Sequence, residues 1–257
     1  MDPITGIGIV LAIVAVLVTA ILEGLHLSSL WVPSSFVLIA FGTTGVTLAC
    51  FTLGQIISAM KQMGRLVKKP GMNLVEVIEA IAEISMMAKR EGLLVLEKYK
   101  PKIQHPVLNQ GIALMIDGTN PELVKQMMEI TVSRTEEEIK VPAAVFAAAG
   151  GFAPTLGIIG TVMGLVHVLG NLSDPNSLGP AIAAAFIATL YGIASANILF
   201  LPMSKKFGVI AKEETLVSEM IIEGVLSIYA GESPTIVRQK LMSFVLEHGP
   251  KKEEAKK

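Results

Sequence analysis

The chain has 257 residues, 52% of them hydrophobic and 17% charged, with a mean hydropathy of +0.62 and a formal net charge of −1. Soluble domains carry about a quarter charged residues, so this balance points to a membrane protein. A net charge near zero gives no ground for nucleic-acid binding. The single cysteine, Cys50, excludes an internal disulfide, and four scattered histidines (His26, His105, His167, His248) argue against a dedicated metal site.

Four stretches free of Asp, Glu, Lys and Arg are long enough to span a bilayer: Pro3–Leu22, Gly24–Met60, Val141–Ser173 and Pro175–Ser204. The first fits one span, and it lacks the basic region and small-residue cleavage site of a signal peptide, so it is read as retained. In the second, a Leu-Ser-Ser-Leu-Trp-Val-Pro break places the span near Pro33–Leu53. The third is longer than a bilayer core requires, with Pro142 set to kink its start. The fourth has its apolar part between Pro180 and Leu201. All 21 Lys and Arg fall in Gln55–Lys140 and Pro202–Lys257, and the short connections around Glu23–Val32 and Asn171–Gly179 contain none. The positive-inside rule then places both basic segments and both termini in the cytoplasm, with Trp31 as an interfacial aromatic.

The segment between the second and third spans reads as helical. Lys69-Pro70-Gly71 breaks the chain, and Asn73 with Glu76 resembles a capping box. A helix is predicted from about Leu74 to Tyr99, ended by Pro101, with an apolar face of Leu74, Ile78, Ile81 and Ala88. Pro106 and Pro121 suit helix first turns, the latter after Asn120 as N-cap. Ala211–Ala230 reads as another amphipathic helix, and Lys251–Lys257 as a disordered tail. The expected fold is all-α: an integral membrane protein with four transmembrane helices and a helical cytoplasmic domain. Its boundaries divide it into 1–54 (spans one and two), 55–141 (cytoplasmic helices), 142–201 (spans three and four) and 202–257 (cytoplasmic helix and tail).

The four spans contain no Asp or Glu. Cation relays through membranes ordinarily use a buried carboxylate, so a partner must supply the acid if this chain moves cations. Spans three and four carry stripes of small residues at helical spacing: Ala153, Gly157, Gly160 and Gly164 in one, and Ala181, Ala185, Ala188, Gly192 and Ser195 in the other. Such stripes let helices approach closely in lipid. Each holds one threonine in matched surroundings. Thr161 has Gly157 at i−4 and Gly164 at i+3; Thr189 has Ala185 at i−4 and Gly192 at i+3. Either hydroxyl can simply bond its own i−4 carbonyl, or the matched pair can face a packed partner helix. Pro154 within span three and Pro202 at the close of span four are a static kink and a helix end, or flexible points. On the cytoplasmic helix Glu76, Glu83, Arg90 and Glu97 recur every seven residues, flanked by Lys89 and Lys98. That stripe is a solvated face or a contact surface.

Several motifs resemble one family. Ala-Pro-Thr-Leu-Gly-Ile-Ile-Gly-Thr-Val-Met-Gly-Leu-Val (153–166) resembles the third-span signature of the MotA/PomA flagellar stator proteins. Gly-Pro-Ala-Ile-Ala-Ala-Ala-Phe-Ile-Ala-Thr-Leu-Tyr-Gly (179–192) is similar to their fourth-span signature, and residues 88–97 to their rotor-contact helix. The resemblance implies a non-enzymatic, cofactor-free subunit of the bacterial inner membrane that transports Na+ or H+. It implies a homopentamer around a dimer of a single-span MotB/PomB-type partner, which brings the ion-carrying Asp, and a rotor partner, FliG. It further implies ion-path roles for Thr161 and Thr189, hinge or gating roles for Pro154 and Pro202, and rotor contact by Glu97 with Lys89 or Arg90, both of which align to the family's basic position. Threonine at both ion-path positions resembles the sodium-type members, whereas the acidic residue that some of those carry before Pro154 is absent from Gly150-Gly151-Phe152. The ExbB/TolQ group shares the plan of a ring around a dimer, but usually has three spans with the large loop after the first. A transporter acting alone expects an intramembrane acid or broken helices, and a bare scaffold leaves the matched threonines without a purpose.

Overall fold

A computed structural model describes residues 3–66, 72–98, 103–170 and 175–248. Nine α-helices run through the described residues: α1 (Pro3–Leu22), α2 (Pro33–Cys50), α3 (Leu53–Gln62), α4 (Leu74–Glu91), α5 (Pro106–Ile116), α6 (Pro121–Gly170), α7 (Pro175–Ala194), α8 (Leu201–Tyr229) and α9 (Pro234–His248). No strand occurs among these residues. The chain divides into two compact units, residues 1–69 with 139–209, and residues 70–138 with 210–257.

The first unit is the membrane unit. Four helical segments are long and apolar enough to cross a bilayer: α1, the stretch Leu27–Cys50 containing α2, α6, and the run from Leu178 through α8. Nearly all of α1 is exposed, Ile4 and Leu22 at 75% and 81%, as befits a surface whose solvent is lipid. The second span stops at Cys50, three residues short of the predicted Leu53. Thr52 there opens α3 through a true capping box: Gln55 N–H donates to Thr52 Oγ1 (3.4 Å), and Thr52 N–H to Gln55 Oε1 (2.9 Å). Helix α6 continues through both Pro142 and Pro154.

The prediction that the helix of the fourth span ends at Pro202 does not hold. Residues Ser195–Phe200 form a π turn, in which Leu201 N–H donates to Ala196 O, and α8 then carries the chain on to Tyr229. A wide turn, whose bonds span five residues, makes room before a proline that can donate none, and the helix survives it.

In the second unit the predicted apolar face of α4 is a core face. Ile78 and Ile81 are fully buried, in one cluster with Leu108, Met115, Met128, Met220, Ile221 and Leu241, and Leu74 and Ala88 pack at its edge. Each large apolar side chain so buried stabilises by about 1.5–3 kcal/mol. Asn73 caps α4, accepting from Val75 N–H (3.1 Å) and donating to Glu76 Oε1 (3.3 Å). Asn120 caps α6 by accepting from Glu122 N–H (2.9 Å).

The helix predicted to run on towards Tyr99 instead ends at Glu91. Gly92 has φ +86° and ψ 169°, a backbone region essentially closed to residues with a Cβ, and a 3-10 turn follows over Leu93–Glu97. Tyr99 and Pro101, like Lys69-Pro70-Gly71, the connection at 171–174 and the Lys251–Lys257 tail, lie outside the described residues.

Candidate functional site

The two small-residue stripes pack on each other, backbone to backbone, with α6 and α7 antiparallel. A Cβ added at Gly157 would meet Ala188 O at 3.0 Å and Thr189 Cα at 3.1 Å, and one added at Gly164 would meet Ala185 Cβ at 2.5 Å. Only glycine permits this approach, and it sets the geometry of the threonines between the stripes.

Thr161 and Thr189 are brought together, their hydroxyls hydrogen-bonded to each other. Thr161 Oγ1 also lies 3.2 Å from its own i−4 carbonyl, Gly157 O, and 3.1 Å from Ala185 O across the interface. Thr189 Oγ1 reaches the same Gly157 O at 3.3 Å from the opposite helix. The result is a cluster of four oxygens: two hydroxyls and two carbonyls. Both readings of membrane threonine are therefore realised, since Thr161 has its local bond available and the pair also faces across the interface. Two protons serve three acceptors. Either hydroxyl can donate to the other, or both can donate to carbonyls and turn their lone pairs outward. The second arrangement offers neutral oxygens to a cation.

A cavity of about 320 Å³ opens between α2, α6 and α7, lined by Ser34, Ser35, Leu38, Gly160, His167 and Ala185 among others. Ser35 Oγ donates to Ala184 O (3.3 Å), which fastens α2 to the turn of α7 that serves Thr161. Sequence reasoning also missed Tyr191. Its hydroxyl donates to Leu30 O and accepts from Val32 N–H at 3.5 Å, latching the 3-10 turn Leu27–Leu30 to α7. An aromatic with a polar tip inside an otherwise apolar span is the signal that could have found it.

The two prolines sit near the same level of the antiparallel helices. Pro154 deprives Gly150 O of its i+4 amide, and a Cβ on Gly150 would stand 2.7 Å from Leu201 Cδ2, next to Pro202. Pro202 itself borders a cavity of about 370 Å³ with Ile4, Gly8, Asn197 and Lys205. Below them, Ser204 Oγ donates to Ala143 O (2.8 Å), and the Phe146 and Phe207 rings stack at 5.9 Å.

In the second unit Lys89, Arg90 and Glu97 are all exposed. The first two occupy the last turn of α4, where cations complement the helix dipole. Glu97 ends the 3-10 turn beyond Gly92, so it does not extend the α4 stripe of Glu76, Glu83 and Arg90. Lys89 borders a cavity of about 200 Å³ with Ser85, Gly92, Tyr229 and Glu232. Among the described residues no group of three His, Cys, Asp or Glu could hold a metal ion.

The sequence pattern of the MotA/TolQ/ExbB proton channel family matches residues 99–220. Motility protein A of Bacillus subtilis (strain 168) is 35% identical over 95% of this chain and 91% of its own length. The chain belongs to the MotA/PomA family. Solved structures agree over the full fold. That of C. jejuni MotAB superposes with a TM-score of 0.91 at 30% identity, covering 97% of this chain and 98% of that one. That of the flagellar MotAB stator complex from Bacillus subtilis gives 0.87 at 34% identity, covering 95% and 98%. The family is one of flagellar stator subunits, which belong to ion channels and are not enzymes. Membership along nearly the whole chain, with two spans ahead of the large loop, separates it from the ExbB/TolQ branch.

Proposed function

We propose that this chain assembles with a single-span MotB/PomB-type partner and converts cation flow across the inner membrane into rotation of the flagellar rotor, with sodium as the coupling ion. The observation that carries this reading is the Thr161–Thr189 hydroxyl pair in spans that hold no carboxylate. The partner's aspartate brings the charge. The paired hydroxyls and the carbonyls of Gly157 and Ala185 bring the neutral oxygens that replace water around a sodium ion. A proton needs only an acceptor and a hydrogen-bonded path, and four clustered oxygens are more than that requires.

Five copies form a ring about a partner dimer. Both termini, the 55–141 segment and the 202–257 segment face the cytoplasm, because every Lys and Arg lies in the last two. Spans three and four, within 142–201, line the ion path, and spans one and two, within 1–54, pack around them. Pro154 and Pro202 serve as the hinge: each removes a helix hydrogen bond at one level, so the helix ends bend there as the partner's aspartate loads and unloads. Lys89 or Arg90, with Glu97, then meets the rotor protein FliG.

The test is rotation of a tethered cell or bead, driven by this chain with its partner in a stator-deleted strain. Sodium is replaced by potassium at fixed pH. Rotation is expected to fail without sodium, and full speed in its absence overturns the sodium assignment. Thr161→Val is expected to raise the sodium concentration for half-maximal speed several-fold, and Thr161→Ser to restore it.

A further inference from the structure

A second set of hydroxyls lies on α2. Its buried residues are Ser35, Ile39, Thr43 and Thr47, one every fourth position, so that a single face of the span is mostly polar. Ser35 has its bond to Ala184 O. Thr43 and Thr47 are 3% and 6% exposed, yet neither hydroxyl has a hydrogen-bond partner. The ordinary remedy in a span is the bond to the i−4 carbonyl. Thr44, on the same helix, takes it to Ala40 O at 2.7 Å, and Thr19 takes it to Ala15 O at 2.9 Å. Thr43 and Thr47 do not. A buried hydroxyl left unpaired is destabilising, and in a membrane valine fills the same volume without that cost.

Their position along the bundle gives the polar face a direction. A Cβ on Gly160 would meet Leu38 Cδ2 at 2.9 Å, and one on Gly42 would meet Leu156 Cδ1 at 3.3 Å, so α2 runs antiparallel to α6. By the helical rise, Thr43 and Thr47 lie on the order of 8 and 14 Å beyond the level of Leu38 and Gly160, towards the C-terminal end of α2. The same pairing brings Thr47 level with Gly151, one residue along the chain from Gly150, whose carbonyl Pro154 leaves without its amide. Unpaired hydroxyls and a freed carbonyl at neighbouring levels are the partners a buried water needs.

We infer that Thr43 and Thr47 line a hydrated track through which the cation passes between the Thr161–Thr189 pair and the C-terminal end of α2. Span two thus contributes oxygens to the path along with spans three and four. The track's role in conduction rests on the function proposed above; its hydration does not.

The test uses the full complex in a Cys50→Ser background. Thr43→Cys and Thr47→Cys are probed with a membrane-impermeant methanethiosulfonate, beside Leu48→Cys on the exposed face of the same helix. Labelling at least tenfold faster at 43 and 47 than at 48 is expected. In the native background, Thr43→Val and Thr47→Val are expected to lower rotation speed at limiting sodium several-fold without raising the melting temperature, and the serine variants to restore speed. Silent cysteines overturn the inference. So do valine variants that melt higher and turn the motor at full speed, because the hydroxyls are then dry packing. A native complex that supports no ion-driven rotation overturns the proposed function instead, while the labelling still decides whether the track holds water.

Discussion

A Cβ added to Gly192 would stand 2.5 Å from the carbonyl oxygen of Ala153. The obstruction is backbone, not the end of a flexible side chain, so one of the two helices must move. Gly192→Ala is therefore expected to destabilise the membrane unit by about 1–3 kcal/mol, as overpacking does. The check is the melting temperature of the detergent-solubilised complex. Gly45→Ala on α2, where nothing lies within 4 Å, should leave the melt unchanged or raise it slightly through alanine's better helix propensity. Equal melting temperatures for the two variants would mean that α6 and α7 are not held in backbone contact.

The charged residues at the end of α4 call for the opposite signature. Lys89, Arg90 and Glu97 are exposed, and surface changes of this kind usually alter stability by about 0.5 kcal/mol or less. Glu97→Lys, and Lys89→Glu with Arg90→Glu, should leave the amount of complex in the membrane unchanged while reducing torque on a tethered bead. Torque is the sharper readout because exposed pairs are worth about 0–1 kcal/mol, so single neutral changes are nearly silent. Reversals that leave torque intact would make this surface a solvated face.

The spans were legible because a run of about 20 residues without charge has few other readings, and the interface of α6 and α7 because its glycines recur at helical spacing. The threonine pair followed from those stripes. What escaped the sequence depends on atoms distant in the chain, or on local geometry that residue type does not dictate. Tyr191 is unremarkable until Leu30 O is placed beside it. Thr43 and Thr44 are indistinguishable as letters, and only packing shows that one bonds its own helix while the other is buried without a partner. Pro202 read as a terminator because the π turn ahead of it has no sequence signature. Gly92 was passed over because an isolated glycine in a helical pattern is ordinarily tolerated.

His105 gives the second unit a pH dependence. It caps the start of α5 without a side-chain bond, is 4% exposed, and has no hydrogen-bond partner on either ring nitrogen. Burial holds its pKa below the usual histidine value, and the nearby Glu214 carboxylate opposes the shift only in part. The unfolded chain therefore binds a proton more readily than the folded one. Stability is fully present above the ordinary histidine pKa of about 6.5 and declines as pH falls through the depressed folded value. Thermal unfolding of the purified complex between about pH 7.5 and 5.5 should show this loss, and His105→Met should remove the corresponding part of the slope. An unchanged slope in the variant would assign the acid sensitivity to other groups.

Gly92 is where the structure departs furthest from the helix predicted at Leu74–Tyr99, and it carries the last expectation. Its φ of +86° with ψ near 169° lies in a region that a Cβ makes costly, by about 1–3 kcal/mol for a residue forced to stay there. Gly92→Ala has two ways out. It can keep the turn and carry the strain, or it can let α4 run on as an α-helix, which alanine favours by about 1 kcal/mol over glycine. The second route rotates Glu97 away from its place on the 3-10 turn, since that turn advances with three residues per revolution and the α-helix with 3.6. Leu96, buried on the turn, would have to leave the core as well, and the loss of that contact weighs against the extension. Gly92→Ala is therefore expected to keep the turn, lower the melting temperature of the complex, and leave torque per assembled stator close to native. A variant that melts as the native protein does but delivers little torque would show that α4 had extended, and that the turn exists to hold Glu97 in place against the rotor.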